Sequence, residues 1–270
     1  MFEIDRSYFE EGKFKTVRRA QYKDDRAVVA AIVKHRSEKS TQHSLHNEVP
    51  MYSELGKHPN VLEFYGMTID ENGELCMVME FAQRGSLRGL LLKISLEGYK
   101  VDDLVLVSAA KQVSQAMAFI ARRGLVHRNL SARNVFVFQF DLQDPSQVLV
   151  KVADLSNMAV ESDMEDASDD FGSNQEWNVW MAPEMISKRL FSEKSDVWAF
   201  GVTMWEMWSY GELPYSGTSA DIPSMIINGN ILPQPSQCPG IIYVIMQDCW
   251  QSSTSKRPSF QKLEEKLKQV

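Results

Sequence analysis

The pattern of apolar residues changes near Gly85, and that change limits the fold more than any other feature of the 270-residue chain. Before it the chain reads as strands. KFKTVRRAQYK and AVVAAIVKHR carry β-branched and apolar residues between charged turns such as KDDR, and NVLEFYGMTI and ELCMVMEFA are joined by the hairpin signal DENG. One helix interrupts them: SEKSTQHSLHNEVPMYSELGKH has a polar entry followed by apolar residues at helical spacing. After Gly85, LVSAAKQVSQAMAFIARRG has a helical period, with Gly124 placed as a cap just past the last turn. VFVFQFDL and VLVKVADL are short strands around the turn QDPSQ, a polar stretch runs to Trp177, and SDVWAFGVTMWEMWSYG and GIIYVIMQDCWQ read as buried helices. A strand-rich front and a helix-rich remainder predict an α+β chain with a cleft between two lobes. No internal repeat is visible.

Composition narrows the function. With 44% apolar and 24% charged residues the chain has ample core for a globular domain. A net charge of -7 argues against a nucleic-acid surface, which needs clustered Lys and Arg. Cys76, Cys238 and Cys249 show no metal spacing and read as reduced packing residues of an intracellular protein. The opening MFEIDRSYFEE lacks the apolar stretch of a signal peptide, and no apolar run approaches the ~20 residues of a membrane span. The expectation is a cytoplasmic domain of a longer protein, with a membrane tether elsewhere in that protein left open. The run ESDMEDASDD at 161–170, six of its residues acidic, reads as a solvated loop.

The stretch HRNLSARN at 127–134 resembles the catalytic loop of protein kinases, in the form ending ARN that tyrosine kinases use. VADLS follows in the place of the metal-binding Asp-Phe-Gly motif, then WMAPE at 180–184, SDVWAFGVTMWEMWSYGELPY at 195–215, CPGIIYVIMQDCW and KRPSF. Lys34 ends an apolar strand and Glu48 lies in the following helix. These elements keep the family's order and approximate spacing over nearly the whole chain. The insertion FQFDLQDPSQ is more like the tyrosine-kinase-like Ser/Thr group. The resemblance implies a bilobal kinase fold in one domain, 1–270: a small β-rich N-lobe with one main helix at 1–81, and a larger helical C-lobe at 82–270.

It also implies roles. Phosphoryl transfer is mainly positioning and charge neutralisation. Lys34 matches the lysine that holds the α- and β-phosphates, and Glu48 the glutamate that orients it. Pro50 is expected to start that helix late or bend it. Asn134 and Asp154 match the two metal ligands, so ATP with Mg2+ or Mn2+ is the implied cofactor. Met79 matches the gatekeeper, and Glu80, Phe81 and Ala82 match the hinge that binds adenine. Gly12, Val17, Ile32 and Phe136 complete the nucleotide slot. Glu184 with Arg257, and Asp196 below the catalytic loop, match the scaffold of the C-lobe.

The reaction residues depart from the pattern. Asn129 replaces the aspartate that accepts the substrate proton, a contribution of typically about 10²–10⁴-fold. FEEGKFKTV at 9–17 keeps Gly12 alone of three glycines, with Glu10 and Lys15 at the outer two positions. Ile32 and Phe136 add volume where the family has a small alanine and a leucine. Either the slot narrows against ATP or it shifts to accommodate them. Asp154-Leu155-Ser156 has leucine for phenylalanine, tolerated in an apolar stack, and serine for glycine, which limits the backbone. No tyrosine lies between Asn157 and Met181 for its phosphate to pair with Arg128, and Ser162, Ser168 and Ser173 are the other hydroxyls there. The acidic run is either solvent-facing only or a permanent substitute for that phosphate. WNVW stands where tyrosine kinases carry a proline and a lysine. Scaffold kept and chemistry altered point to a pseudokinase that acts on a protein partner, either another kinase domain or a regulatory region of its parent chain. The alternatives are a weakly active kinase and an active one disabled by an Asp-to-Asn change at Asn129.

Overall fold

In the computed structural model, the described residues are 2–11, 15–22, 29–35, 48–70, 73–160, 179–218 and 221–270, and of the first three strands side chains are described only at 17–20. Gly12, the helix entry at 36–47, the acidic run, Ser162, Ser168, Ser173 and Trp177 lie outside them.

Five strands form the first sheet, in the order β1-β2-β3-β5-β4 and antiparallel throughout. They are β1 (Phe2–Glu11), β2 (Lys15–Tyr22), β3 (Val29–His35), β4 (Phe64–Ile69) and β5 (Leu75–Glu80). Gly73 turns the β4–β5 hairpin at φ +81, a conformation most side chains resist. Helix α1 is described over 48–55, and Pro50 sits in the first described turn. The chain then crosses to the second lobe's strands. The Asn60 carbonyl accepts from Val152 N–H and Leu62 N–H donates to the Val152 carbonyl, both at 2.8 Å.

The second lobe is helical. Helices α2 (Leu87–Leu96), α3 (Asp103–Ala121), α4 (Pro183–Lys188), α5 (Glu193–Trp208), α6 (Ile222–Ile227), α7 (Gly240–Cys249) and α8 (Phe260–Leu267) accompany two small two-stranded sheets. One pairs β6 (Leu125–Val126) with β9 (Ala159–Val160), the other β7 (Val135–Gln139) with β8 (Leu149–Val152). Gly124 follows α3 at φ +68, as its cap position requires. By length and composition α3 is apolar enough to cross a membrane, but two-thirds of it is buried inside the protein, as in a core helix. Between β7 and β8, Pro145–Gln147 forms one 3-10 turn, capped by Asp144. The α+β, two-lobed expectation therefore holds.

One helix differs from its reading. In α7, Ile242, Ile245, Met246 and Cys249 are buried, but Ile241 and Val244 are 57% and 52% exposed. An uninterrupted apolar string hides which arc of the helix meets the core. Helix α5 is buried almost entirely, and Gly201 in it is a packing requirement. A Cβ there would lie 2.7 Å from Trp250 Nε1 and 2.8 Å from Cys249 Cβ. Gly201→Ala is expected to lower the unfolding free energy by about 1–3 kcal/mol through overpacking, measured by urea denaturation.

Candidate active site

The frame of the site is the loop between β6 and β7. Asp196, buried in the first turn of α5, accepts from His127 N–H at 2.7 Å and from Arg128 N–H at 2.9 Å. Both carboxylate oxygens are thus used to shape the loop. Arg128 sits at φ 66, a left-handed conformation that a non-glycine residue keeps only when its surroundings hold it. Its guanidinium lies 4.0 Å from the centre of the Phe191 ring. His127 is buried and reads as neutral: Nδ1 accepts from Asn129 N–H at 3.2 Å, so Nε2 carries the proton and meets the Ala153 carbonyl at 3.1 Å. Burial holds its pKa below the ordinary imidazole value.

Three of the expected site residues converge beyond this frame. Asn134 Nδ2 donates to the Asn129 carbonyl at 2.7 Å, leaving its side-chain oxygen as the atom able to meet a cation. Asn129 Nδ2 donates to Asp154 Oδ2 at 2.7 Å, and the Ser156 hydroxyl donates to Asp154 Oδ1 at 2.8 Å. Leu155 is fully buried, as expected of an apolar stack. Glu48 is buried on α1, and Tyr52 one turn on reaches the metal motif. Burial raises the Tyr52 phenol well above its ordinary value, the Glu48 and Asp154 carboxylates add to that, and the backbone amides of Asp154 and Leu155 oppose it. Tyr52 also stacks on Phe64 of β4, with ring centroids 5.8 Å apart.

Lys34 and Ile32 lie on β3, opposite Thr16 and Arg18 of β2, and Ile32 is also opposite Val78 of β5. Their side chains are outside the described residues. At the hinge, Met79 and Ala82 are buried and Phe81 is half-buried, while Val17 of β2 and Phe136 of β7 are half-buried against the core. Sequence reasoning missed the brace behind the hinge: Lys151 Nζ holds both oxygens of Glu80 at 2.7 Å and lies 4.9 Å from the centre of the Phe138 ring. It also missed Glu206, which accepts from Ala132 N–H and from Trp180 Nε1, each at 2.9 Å, and so ties the catalytic loop to the segment before α4. A lone carboxylate inside VTMWEMW was the available signal. The expected Glu184–Arg257 pair is present and bidentate, at 2.6 and 2.9 Å.

Residues 6–267 match the family model described as protein tyrosine and serine/threonine kinase. The chain belongs to that kinase family. It is 36% identical over 215 residues to the tyrosine-protein kinase FRK of Homo sapiens, covering 78% of this chain and 40% of that protein. It is 30% identical over 239 residues to fibroblast growth factor receptor 1 of Pleurodeles waltl, covering 83% of this chain and 28% of that protein. The chain thus spans less than half the length of either relative. The kinase domain is of the tyrosine-kinase type.

Kinases of this family bind ATP with Mg2+, a cation that neutralises charge on the transferred phosphoryl group. The oxygen donors of Asn134 and Asp154 fit such a hard cation in type. Asp154, however, already accepts a side-chain hydrogen bond on each oxygen.

Burial lifts Glu206 from the ordinary value near 4.5 to about 7, despite the opposing hydrogen bonds from Ala132 and Trp180. A raised carboxyl favours the protonated folded chain, so this part of the stability is complete below the ordinary value and is lost as pH rises toward the folded one. Glu206→Gln keeps an acceptor for both donors and cannot ionise. Its melting temperature is expected to gain on wild type by several degrees between about pH 5 and pH 8. Parallel melting curves across that range would defeat the assignment.

Proposed function

We propose that this kinase domain is a pseudokinase, a cytoplasmic signalling module that acts by engaging a protein partner. The observation that carries the reading is the amide of Asn129 at the catalytic-base position, bonded to Asp154. An amide has no useful basicity near neutral pH, and this one is already committed as a donor. The partner is another kinase domain or a regulatory region of the parent chain, and the geometry of α1 against the cleft is the switch on which it acts. ATP with Mg2+ or Mn2+ remains the nucleotide class to test.

The competing reading is a weak phosphotransferase in which Asn129 orients the substrate hydroxyl while Lys34, Asn134 and Asp154 supply the electrostatics. A radiometric phosphotransfer assay on wild type, Asn129→Asp and Asn129→Ala separates the two. The pseudokinase reading expects no transfer from wild type and little from Asn129→Asp, because Glu10, Lys15, Ile32 and Phe136 also depart from the family. Wild-type transfer abolished in Asn129→Ala supports the competing reading. Full activity on restoring the aspartate, a gain of about 10²–10⁴-fold, would mean that residue 129 alone silences an otherwise intact kinase.

A further inference from the structure

We propose that Asn129 and Ser156 are positioning residues that stand in for a divalent cation at Asp154, so that the cleft keeps its arrangement without a metal ion. The inference rests on the pseudokinase reading and concerns the same site.

Two departures from the family pattern lie far apart in sequence, asparagine for aspartate at 129 and serine for glycine at 156. Both place a new donor on the same carboxylate, one on each oxygen, at 2.7 and 2.8 Å. Neither donor exists in the family's usual residues at these positions: an ionised aspartate only accepts, and a glycine has no side chain. The orientation of the Asn129 amide follows from its neighbour. Turned over, it would set two acceptor oxygens against each other at hydrogen-bond distance.

The surroundings keep the donors in place. Asn129 is buried, its backbone N–H bonds His127 Nδ1, and its carbonyl is held by Asn134 at 2.7 Å. An amide that left Asp154 would need another partner in a dry site. Asp154 has φ 66 and ψ 68, a conformation for a non-glycine residue that neighbouring bonds must sustain. Ser156 follows in the 3-10 turn Leu155–Asn157, which sets its hydroxyl back toward that carboxylate. A cation arriving at Asp154 has to compete with these donors, whereas with an aspartate at 129 a cation on Asp154 would relieve the repulsion between the two carboxylates.

The test is thermal melting in EDTA, in millimolar Mg2+ and in millimolar Mn2+, each with and without ATP. Wild type is expected to melt within ~2 °C in all three metal-free and metal-containing buffers. Any ATP shift is expected to be the same in each. Asn129→Asp is expected to melt below wild type in EDTA and to recover on adding either cation. Ser156→Gly, which removes the hydroxyl donor to Oδ1, is expected to respond to Mg2+ more than wild type does, and it serves if the aspartate variant fails to fold. Ser156→Thr, which restores the hydroxyl, should behave as wild type. The proposal is overturned by a wild type that metal stabilises as strongly as the variants, or by an ATP shift that appears only with metal. These readouts are independent of turnover: wild-type phosphotransfer would remove the pseudokinase reading and leave the metal response to be judged by itself.

Discussion

The carboxylate of Asp196 is the interaction on which the second lobe's chemistry depends. It is buried, and two backbone N–H groups of the catalytic loop meet its two oxygens. Desolvation dominates its electrostatics and lifts its pKa to about 7 even against those hydrogen bonds. Burying a carboxylate this deeply is unfavourable unless its bonds are made. What the fold gains is a loop with Arg128 fixed at positive φ, and from that point Asn129 and Asn134 can project into one site. Glu206 repeats the device one side over, holding Ala132 and Trp180. The Glu184–Arg257 pair anchors the next segment, with Arg257 also donating to the Gln251 and Lys194 carbonyls. Two buried carboxylates and the partly buried Glu184 thus act as connectors between α5 or α4 and the loops around the site.

Against that intact scaffold, the change at residue 129 reverses the sign of one contact. Two unit negative charges about 3 Å apart, at an effective dielectric constant near 20, repel by roughly 5 kcal/mol. A cation on Asp154, or wider spacing, is what makes an aspartate at 129 compatible with Asp154. An asparagine converts the same contact into a charge-assisted hydrogen bond, of a kind worth about 1.5–3 kcal/mol. The same replacement that leaves no carboxylate at the base position therefore also removes a like-charge contact with Asp154.

Much of this was legible in the sequence, and the failures have physical causes. The hairpin of β4 and β5 followed from DENG, and α3 from its apolar period and its glycine, because local propensity and tertiary packing agree there. The catalytic-loop residues were found by motif order, and Asn129, Asn134 and Asp154 do meet. The exposed arc of α7 was not legible, since GIIYVI is apolar on every side. Lys151 was not legible as a partner of Glu80, because 71 residues separate them and only the fold makes them neighbours. Ser156 was read as a restriction on the backbone. Its hydroxyl matters more than that, as the donor to Asp154 Oδ1, and side-chain bonding of this kind depends on a φ that no propensity reveals.

The link from α1 to the metal motif completes the picture of how such a domain communicates. In an active site the position of that helix is coupled to nucleotide and metal through charge. Here Tyr52 adds a coupling made of packing: its ring stacks on Phe64 of β4, and its phenol lies against the Asp154 and Leu155 amides. A buried ring between a helix and a turn transmits displacement because close-packed groups move together or leave a void. Asn129 and Ser156 donate to Asp154 on one side, and Tyr52 packs against the same turn on the other, so α1, β4 and the metal motif are tied together by packing and hydrogen bonds at one point.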